Sequence, residues 1–308
     1  MGRRRKRGRD ITGILLLDKP TDITSNKALQ QTKFLYFAAK AGHTGALDPI
    51  ATGVLPICFG EATKFSQYLL NADKKYRVTA KLGEKTTTSD REGEVIESKP
   101  VNVTESQLVK VLQQFKGTIS QTPSMYSALK KDGVPLYKLA RQGIEVERDA
   151  REVAIYSLEL VSFGGEEFVL DVHCSKGTYV RNLVEDIGDE LDCGAHVLEL
   201  RRTAVGDFGL EQAVTMAHLE ELKQADAKLE MDELLLPVEQ VLKHMPSIQL
   251  SDDQSYYIRL GQAVQIPGSP IDGSVCLVHN SQFIGVGTID DDGKVAPTRL
   301  IRTDEASV

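Results

Sequence analysis

Residues 42–53 constrain this chain more than any other stretch. Gly42-His43-Thr44-Gly45-Ala46-Leu47-Asp48-Pro49-Ile50-Ala51-Thr52-Gly53 follows neither the helical period nor the strand period and is rich in Gly, Thr and Pro. Such a segment is a shaped loop, and function tends to sit on such loops. Upstream, the apolar run 13–17 stops at Asp18-Lys19-Pro20, a buried strand closed by a proline turn, and Ser25 caps a helix to about Phe37. Downstream, Ala62, Phe65 and Leu69 recur at helical spacing. Tyr76, Val78, Ala80 and Leu82 then alternate with Arg77, Thr79 and Lys81, a half-buried strand with Tyr76 on its apolar parity. Helices and strands interleaved in this way predict an α/β (α+β) chain.

Thr104 and Gln107 form a capping box ahead of Leu108, Val111, Leu112 and Phe115, with Gly117 closing the helix. Residues 135–142 read as a short helix inside a longer loop, with Pro135 in its first turn and Gly143 beyond its end. Around it cluster Lys130, Lys131, Lys138, Arg141 and Arg148, interleaved with Tyr126 and Tyr137, a mixture suited to phosphates and unstacked bases. Asp132, Glu145, Glu147 and Asp149 dilute that charge, and an ordinary solvated insertion is the alternative. Strands at 153–161 and 168–174 flank a Gly164-Gly165 turn. A helix with Val180, Leu183, Ile187 and Leu191 on one face follows, Arg181 in its first turn off that face, and then a strand at 195–200. An acidic helical stretch spans 217–236. From about Ile248 a helix at 254–260 and short apolar runs, with turn signals at Gly268, Asp272-Gly273 and Asp292-Gly293, predict a small β-rich second domain.

Charge needs care. The 308 residues carry a formal −7, which argues against a polyanion partner, yet residues 1–9 hold six positive and no negative side chains, leaving −13 on the remaining 299. That basic tail is either a nucleic-acid contact or a solvated arm. Cys58, Cys174, Cys193 and Cys276 are scattered and read as core packing, and the six histidines have no ligand spacing, so neither a disulfide framework nor a metal centre is expected. No apolar run reaches the ~18 residues of a membrane helix, and a cytoplasmic protein with no membrane contact is expected.

No phosphate-binding Gly-rich motif and no GxSxG nucleophile turn is present. Taken alone, Asp48 is one loop carboxylate beside an imidazole, and a turn aspartate before proline is ordinarily structural. Gly42-His43-Thr44-Gly45-Ala46-Leu47-Asp48-Pro49, followed by Ala51-Thr52-Gly53-Val54-Leu55-Pro56, resembles the signature loop of TruB-type tRNA pseudouridine synthases. Leu17-Asp18-Lys19-Pro20, Lys74-Lys75-Tyr76, Pro123-Ser124-Met125-Tyr126-Ser127-Ala128, Cys174-Ser175-Lys176-Gly177-Thr178-Tyr179-Val180-Arg181 and residues 198–202 resemble further motifs of that family in the same order. The similarity runs from about Gly8 to Ile301. Departures lie chiefly in 217–245 and the C-terminal part.

The resemblance implies a mixed-sheet catalytic domain at 10–247 with an RNA-binding insertion at about 123–152, a PUA-like C-terminal domain at 248–308, and 1–9 as a basic tail. It implies an isomerase that converts uridine 55 in the tRNA T loop to pseudouridine as a monomer, with no cofactor and no guide RNA or protein partner. Asp48 would be the catalytic carboxylate, Tyr76 would stack on the base and help remove its C5 proton, and Arg181 would pair with Asp48. His43 would help displace the nucleotide, and Tyr179 and Leu200 would line the uracil pocket. A buried Asp48 would be pushed towards protonation, and Arg181 would keep it ionised. The alternatives are a synthase of the guide-RNA-dependent branch and a tRNA-folding chaperone with secondary catalysis. The compact chain and long insertion favour the stand-alone enzyme.

Overall fold

The computed structural model describes residues 8–127, 129–267 and 272–302; the basic run 1–7 and the turn signal at Gly268 lie outside the described residues. In chain order the first elements are β1 (Gly13–Lys19), α1 (Ser25–Leu35), β2 (Ala41–His43), β3 (Thr52–Phe59), α2 (Ser66–Asn71) and β4 (Lys74–Leu82). Next come β5 (Glu84–Thr86), β6 (Val95–Ser98), α3 (Glu105–Gln114), β7 (Gly117–Gln121), β8 (Lys130–Lys131), β9 (Val134–Pro135) and α4 (Leu136–Ala140). This part of the chain closes with β10 (Arg151–Phe163), β11 (Glu167–Cys174), α5 (Val180–Glu190), β12 (Ala195–Val205), β13 (Phe208–Gly209), β14 (Val214–Thr215), α6 (Met216–Gln224) and α7 (Lys228–Glu233).

Ten of these strands build one mixed sheet, in the order β14-β1-β3-β12-β4-β11-β10-β7 with β2 added beside β3 and β13 beside β12, while β5–β6 and β8–β9 form separate two-stranded ribbons. The β1–β14 and β3–β12 pairs are parallel and the remaining neighbours along that order antiparallel. Both faces are covered, which explains the unbroken apolar run in β1. Leu15 and Leu17 pack with Leu183 and Ile187 of α5 in one core, while Ile14 and Leu16 pack with Val54, Phe65 and Leu69 in another. Each such side chain contributes roughly 1.5–3 kcal/mol on full burial.

The final elements are β15 (Ser247–Gln249), α8 (Asp252–Arg259), β16 (Val264–Gln265), β17 (Gly273–His279), β18 (Gln282–Ile289) and β19 (Lys294–Leu300). They form a separate five-stranded sheet, β15-β17-β18-β19-β16, over an aliphatic core of its own. Cys276 and Val286 face the other way and join the core around Cys58 and Phe65.

Several elements differ locally from what the sequence pattern predicts. Thr24, not Ser25, caps α1 by accepting from the Lys27 amide, because the Ser25 hydroxyl is taken by Leu47. The stretch 42–53 is not loop throughout: Ala41–His43 pairs with β3, which starts at Thr52. The helix expected around Ala62 to Leu69 is a 3₁₀ turn, Gly60–Phe65, running into α2. The acidic stretch is two short helices, α6 and α7, separated at Asp226, which adopts φ 54°. All four cysteines are free and buried, as packing residues.

Candidate active site

The loop between β2 and β3 is held from below by side chains that satisfy its backbone. The Ser25 hydroxyl donates to the Leu47 carbonyl at 3.0 Å and accepts from the Leu47 amide at 2.7 Å. Lys19, wholly buried at the end of β1, donates to the carbonyls of Pro20, Pro49 and Ala51 at 2.8, 3.2 and 2.7 Å. From β12, Arg202 donates to Val54 at 2.7 Å and Gly45 at 3.1 Å. Where β3 and β12 meet, Gly53 has φ +101°, and a Cβ there would lie 2.1 Å from the Arg202 carbonyl oxygen. Only glycine fits that crossing. Buried carbonyls need donors, and the loop obtains them from two cations of the scaffold.

Those clamps present Asp48 to Arg181. The Arg181 Nε donates to the Asp48 carboxylate at 2.9 Å, and Nη1 to Asp90 at 3.1 Å. The same guanidinium donates to the carbonyls of Thr88 at 2.9 Å and Tyr126 at 3.2 Å. Arg181 is only 4% exposed although it lies off the apolar face of α5, so the helix-surface salt bridge that its position allows is not what forms. The loop between β5 and β6 folds over it: Arg91 donates its amide to Val197 of β12, and Val197 donates back to Ser89. Asp90, buried beneath, also accepts from Thr88 Oγ1 at 2.6 Å and the Glu92 amide at 3.0 Å.

The electrostatic outcome differs from the expectation that Arg181 alone would set the state of Asp48. Burial pushes the Asp48 carboxyl above the ordinary aspartate range. Arg181 pulls it down, Asp90 pushes it further up, and Lys19 opposes. Arg181 is shared between two carboxylates, and its stabilisation of either one is correspondingly diluted. Burial also brings Lys19 down to about 8, against the pull of Asp48. Tyr76 is raised by burial and drawn back by Arg202, its cross-strand neighbour.

A cavity of about 400 Å³ opens over this group. Asp48, Tyr76, Tyr179, Arg181 and Leu200 all line it, with Lys74 and Arg202. Tyr179 precedes α5 and is fixed through its backbone, its amide donating to Gln121 Oε1 at 3.0 Å and its carbonyl accepting from Gln121 Nε2 at 3.3 Å. Leu200 projects from β12 opposite Val78. His43 is not among the lining residues: it sits on β2, its Nδ1 is buried without a partner, and burial lowers its pKa. A second cavity, about 450 Å³, lies between the β5–β6 segment and the insertion and holds none of the six sequence-predicted residues. The exposed Lys130 and Lys131 lie on the short β8 of that insertion, and Lys138 on α4.

Sequence reasoning missed Asp90, the clamping roles of Lys19 and Arg202, and Lys74, whose buried ammonium donates to the carbonyls of Leu69, Leu70 and Ala72. The one available signal for Asp90 was the aperiodic polar run Thr86-Thr87-Thr88-Ser89 before it. For Lys19, Lys74 and Arg202 the signal was their place inside the family motifs, since lysine and arginine on strands otherwise read as solvent-facing.

Comparison with known proteins identifies the family. Residues 33–180 match the N-terminal domain of the TruB family pseudouridylate synthases. Residues 181–243 match the tRNA pseudouridylate synthase B C-terminal domain, and 246–301 the C-terminal segment of pseudouridine synthase II TruB. The chain is 56% identical to a tRNA pseudouridine synthase B of Aeromonas salmonicida over 97% of each chain. It is 52% identical to one of Shigella boydii over 98% of each. Among solved structures, a Cbf5-Nop10-Gar1 complex matches with TM-score 0.72 at 26% identity, over 94% of this chain and 84% of that one. An H/ACA RNP bound to a substrate RNA containing 2'-deoxyuridine matches with TM-score 0.72 at 22% identity, over 99% and 92%, which is a likeness of fold. Identity above one half over nearly the whole length, with the family motifs converging on one cavity, establishes that the chain belongs to the TruB family of pseudouridylate synthases.

Proposed function

We propose that this protein converts uridine 55 in the T loop of tRNA to pseudouridine, acting alone, in the cytoplasm and without a cofactor. The observation that carries the reading is the Asp48–Arg181 pair on the floor of a cavity walled by Tyr76, Tyr179 and Leu200. A base stacked in RNA cannot reach such a floor and must be flipped out, at a few kcal/mol, with the tyrosines offsetting part of that cost. His43, outside the wall, would act on the nucleotide during displacement and not on the flipped base. The N1 glycosidic bond breaks, the uracil turns, C5 joins the sugar, and the C5 proton leaves with help from Tyr76. Substrate and product are isomers, so no redox partner or group donor enters. Asp48 is the negative group around which the reaction turns. Four buried cations, Lys19, Lys74, Arg181 and Arg202, against Asp48 and Asp90 give the floor a positive balance that the chain's overall −7 conceals.

Chemistry is assigned to 10–247, and RNA grip to the insertion at 123–152, the 248–308 sheet and the 1–9 tail. Incubating the monomeric purified protein alone with a tRNA transcript and mapping pseudouridine tests the proposal. Modification at uridine 55 with chelator present is expected. Modification elsewhere, or a requirement for guide RNA or another protein, would overturn it.

A further inference from the structure

Arg202 is the largest of the fully buried side chains, 1% exposed, and among the described residues no carboxylate pairs with it. Burying a cation without a counter-charge is costly, and an arginine used only to bind two carbonyls is an expensive anchor. Its surroundings give the charge a further use. Arg202 lies directly across the strand pair from Tyr76, lines the same cavity, and donates to Gly45 at the near end of the Asp48 loop. At that cross-strand position the Arg202 charge opposes the rise that burial imposes on the Tyr76 phenol.

We infer that Arg202 is a positioning residue for the isomerisation, holding the Tyr76 oxygen over the cavity and favouring its anionic form so that it can take the C5 proton. The inference rests on the proposed role of Tyr76. In that step the C5–H bond breaks, its electron pair returns to the uracil ring, and the proton goes to the Tyr76 oxygen, which becomes a neutral phenol and later loses the proton to solvent. Burial alone pushes Tyr76 up and makes the anion scarce; Arg202 counters, while Asp48 and Cys174 push the same way as burial. The planar guanidinium suits the task, since one fork can serve a loop carbonyl and the tyrosine together.

A double-mutant cycle tests the inference, using single-turnover rates with enzyme in excess and saturating tRNA. Arg202→Met is expected to slow conversion at least about tenfold with tRNA affinity nearly unchanged, and less than about threefold in a Tyr76→Phe background. Its alkaline rate limb should move to higher pH, and Arg202→Lys, which keeps the charge, should restore part of that shift. Equal losses in both backgrounds, with no movement of the limb, would make Arg202 a loop anchor and overturn the inference. Should Arg202→Met fail to fold, the same cycle with Arg202→Lys decides, coupling to Tyr76 supporting the inference and additivity overturning it. A wild-type rate for Tyr76→Phe itself would overturn the reading of Tyr76 together with this inference, and so is distinguishable from additivity.

Discussion

The cavity region and the C-terminal sheet are built on opposite principles. Around the cavity, Lys19, Lys74, Asp90, Arg181 and Arg202 are all buried, each held by backbone carbonyls, amides or an opposite charge. In the C-terminal sheet the core is Ile248, Ile258, Val275, Leu277, Ile284 and Val295, aliphatic throughout. Buried charge costs stability and buried hydrocarbon supplies it. The half that holds the cavity therefore carries electrostatic cost in its floor and recovers it through the covered faces of its sheet, while the C-terminal sheet has no such cost to offset. Substitutions in the first region should act on rate, and in the second on stability.

The largest effect is expected from Asp48→Asn, which keeps shape but removes the charge. Single-turnover pseudouridine formation should fall by about a thousandfold or more, because a neutral amide neither attacks carbon nor accepts a proton effectively. Arg181 keeps Asp90 as its partner in this variant, so thermal denaturation should show an unchanged or raised Tm. The sign follows from the raised pKa of Asp48: the folded state binds this proton more tightly than the unfolded chain does. Its contribution to stability is full below the unfolded value and is lost as pH rises through the folded one. Wild-type turnover should fall on the acid side with a midpoint above the ~3.9 of a free aspartate. Near wild-type conversion by Asp48→Asn would erase the contrast between the two regions.

Tyr76→Phe retains the ring and loses the hydroxyl, so tRNA binding measured by filter retention should persist while conversion slows about a hundredfold. An unchanged rate would place Tyr76 with the packing residues. Asp90→Asn comes next, with a loss of about tenfold in rate and, because Arg181 keeps Asp48 while the Thr88 and Glu92 donors lose a charged acceptor, about 1–3 kcal/mol in denaturant-derived stability. This is the one substitution for which both regions' signatures should appear together, and a loss of stability without a loss of rate would make Asp90 a scaffold residue.

In the C-terminal sheet, Leu277→Ala should cost about 2–5 kcal/mol of stability while the saturated single-turnover rate stays within about twofold of wild type. A large rate loss in folded protein would show that this sheet reaches into catalysis. The smallest effect is expected on deleting 1–7, which removes five positive side chains. Affinity for tRNA should weaken modestly and its dependence on salt become shallower, with rate unaltered. An identical salt slope would leave the run as a solvated arm.

Periodicity by itself determined most of the scaffold: the unbroken apolar run of β1, the alternation of β4, the Thr104–Gln107 capping box and the amphipathic α5 all follow from local chemistry. The motif resemblance placed Asp48, Tyr76, Arg181, His43, Tyr179 and Leu200 in one site, and the cavity gathers all of them but His43. Tertiary structure alone decided that Ser25 turns from its cap to the Leu47 backbone and that Lys19, Lys74 and Arg202 point inward. It also decided that Asp90 reaches across 91 residues to share Arg181. The physical reason is range. Capping and periodicity are settled within a few residues, whereas the burial of a charge depends on carbonyls and counter-ions that only the assembled sheet brings near.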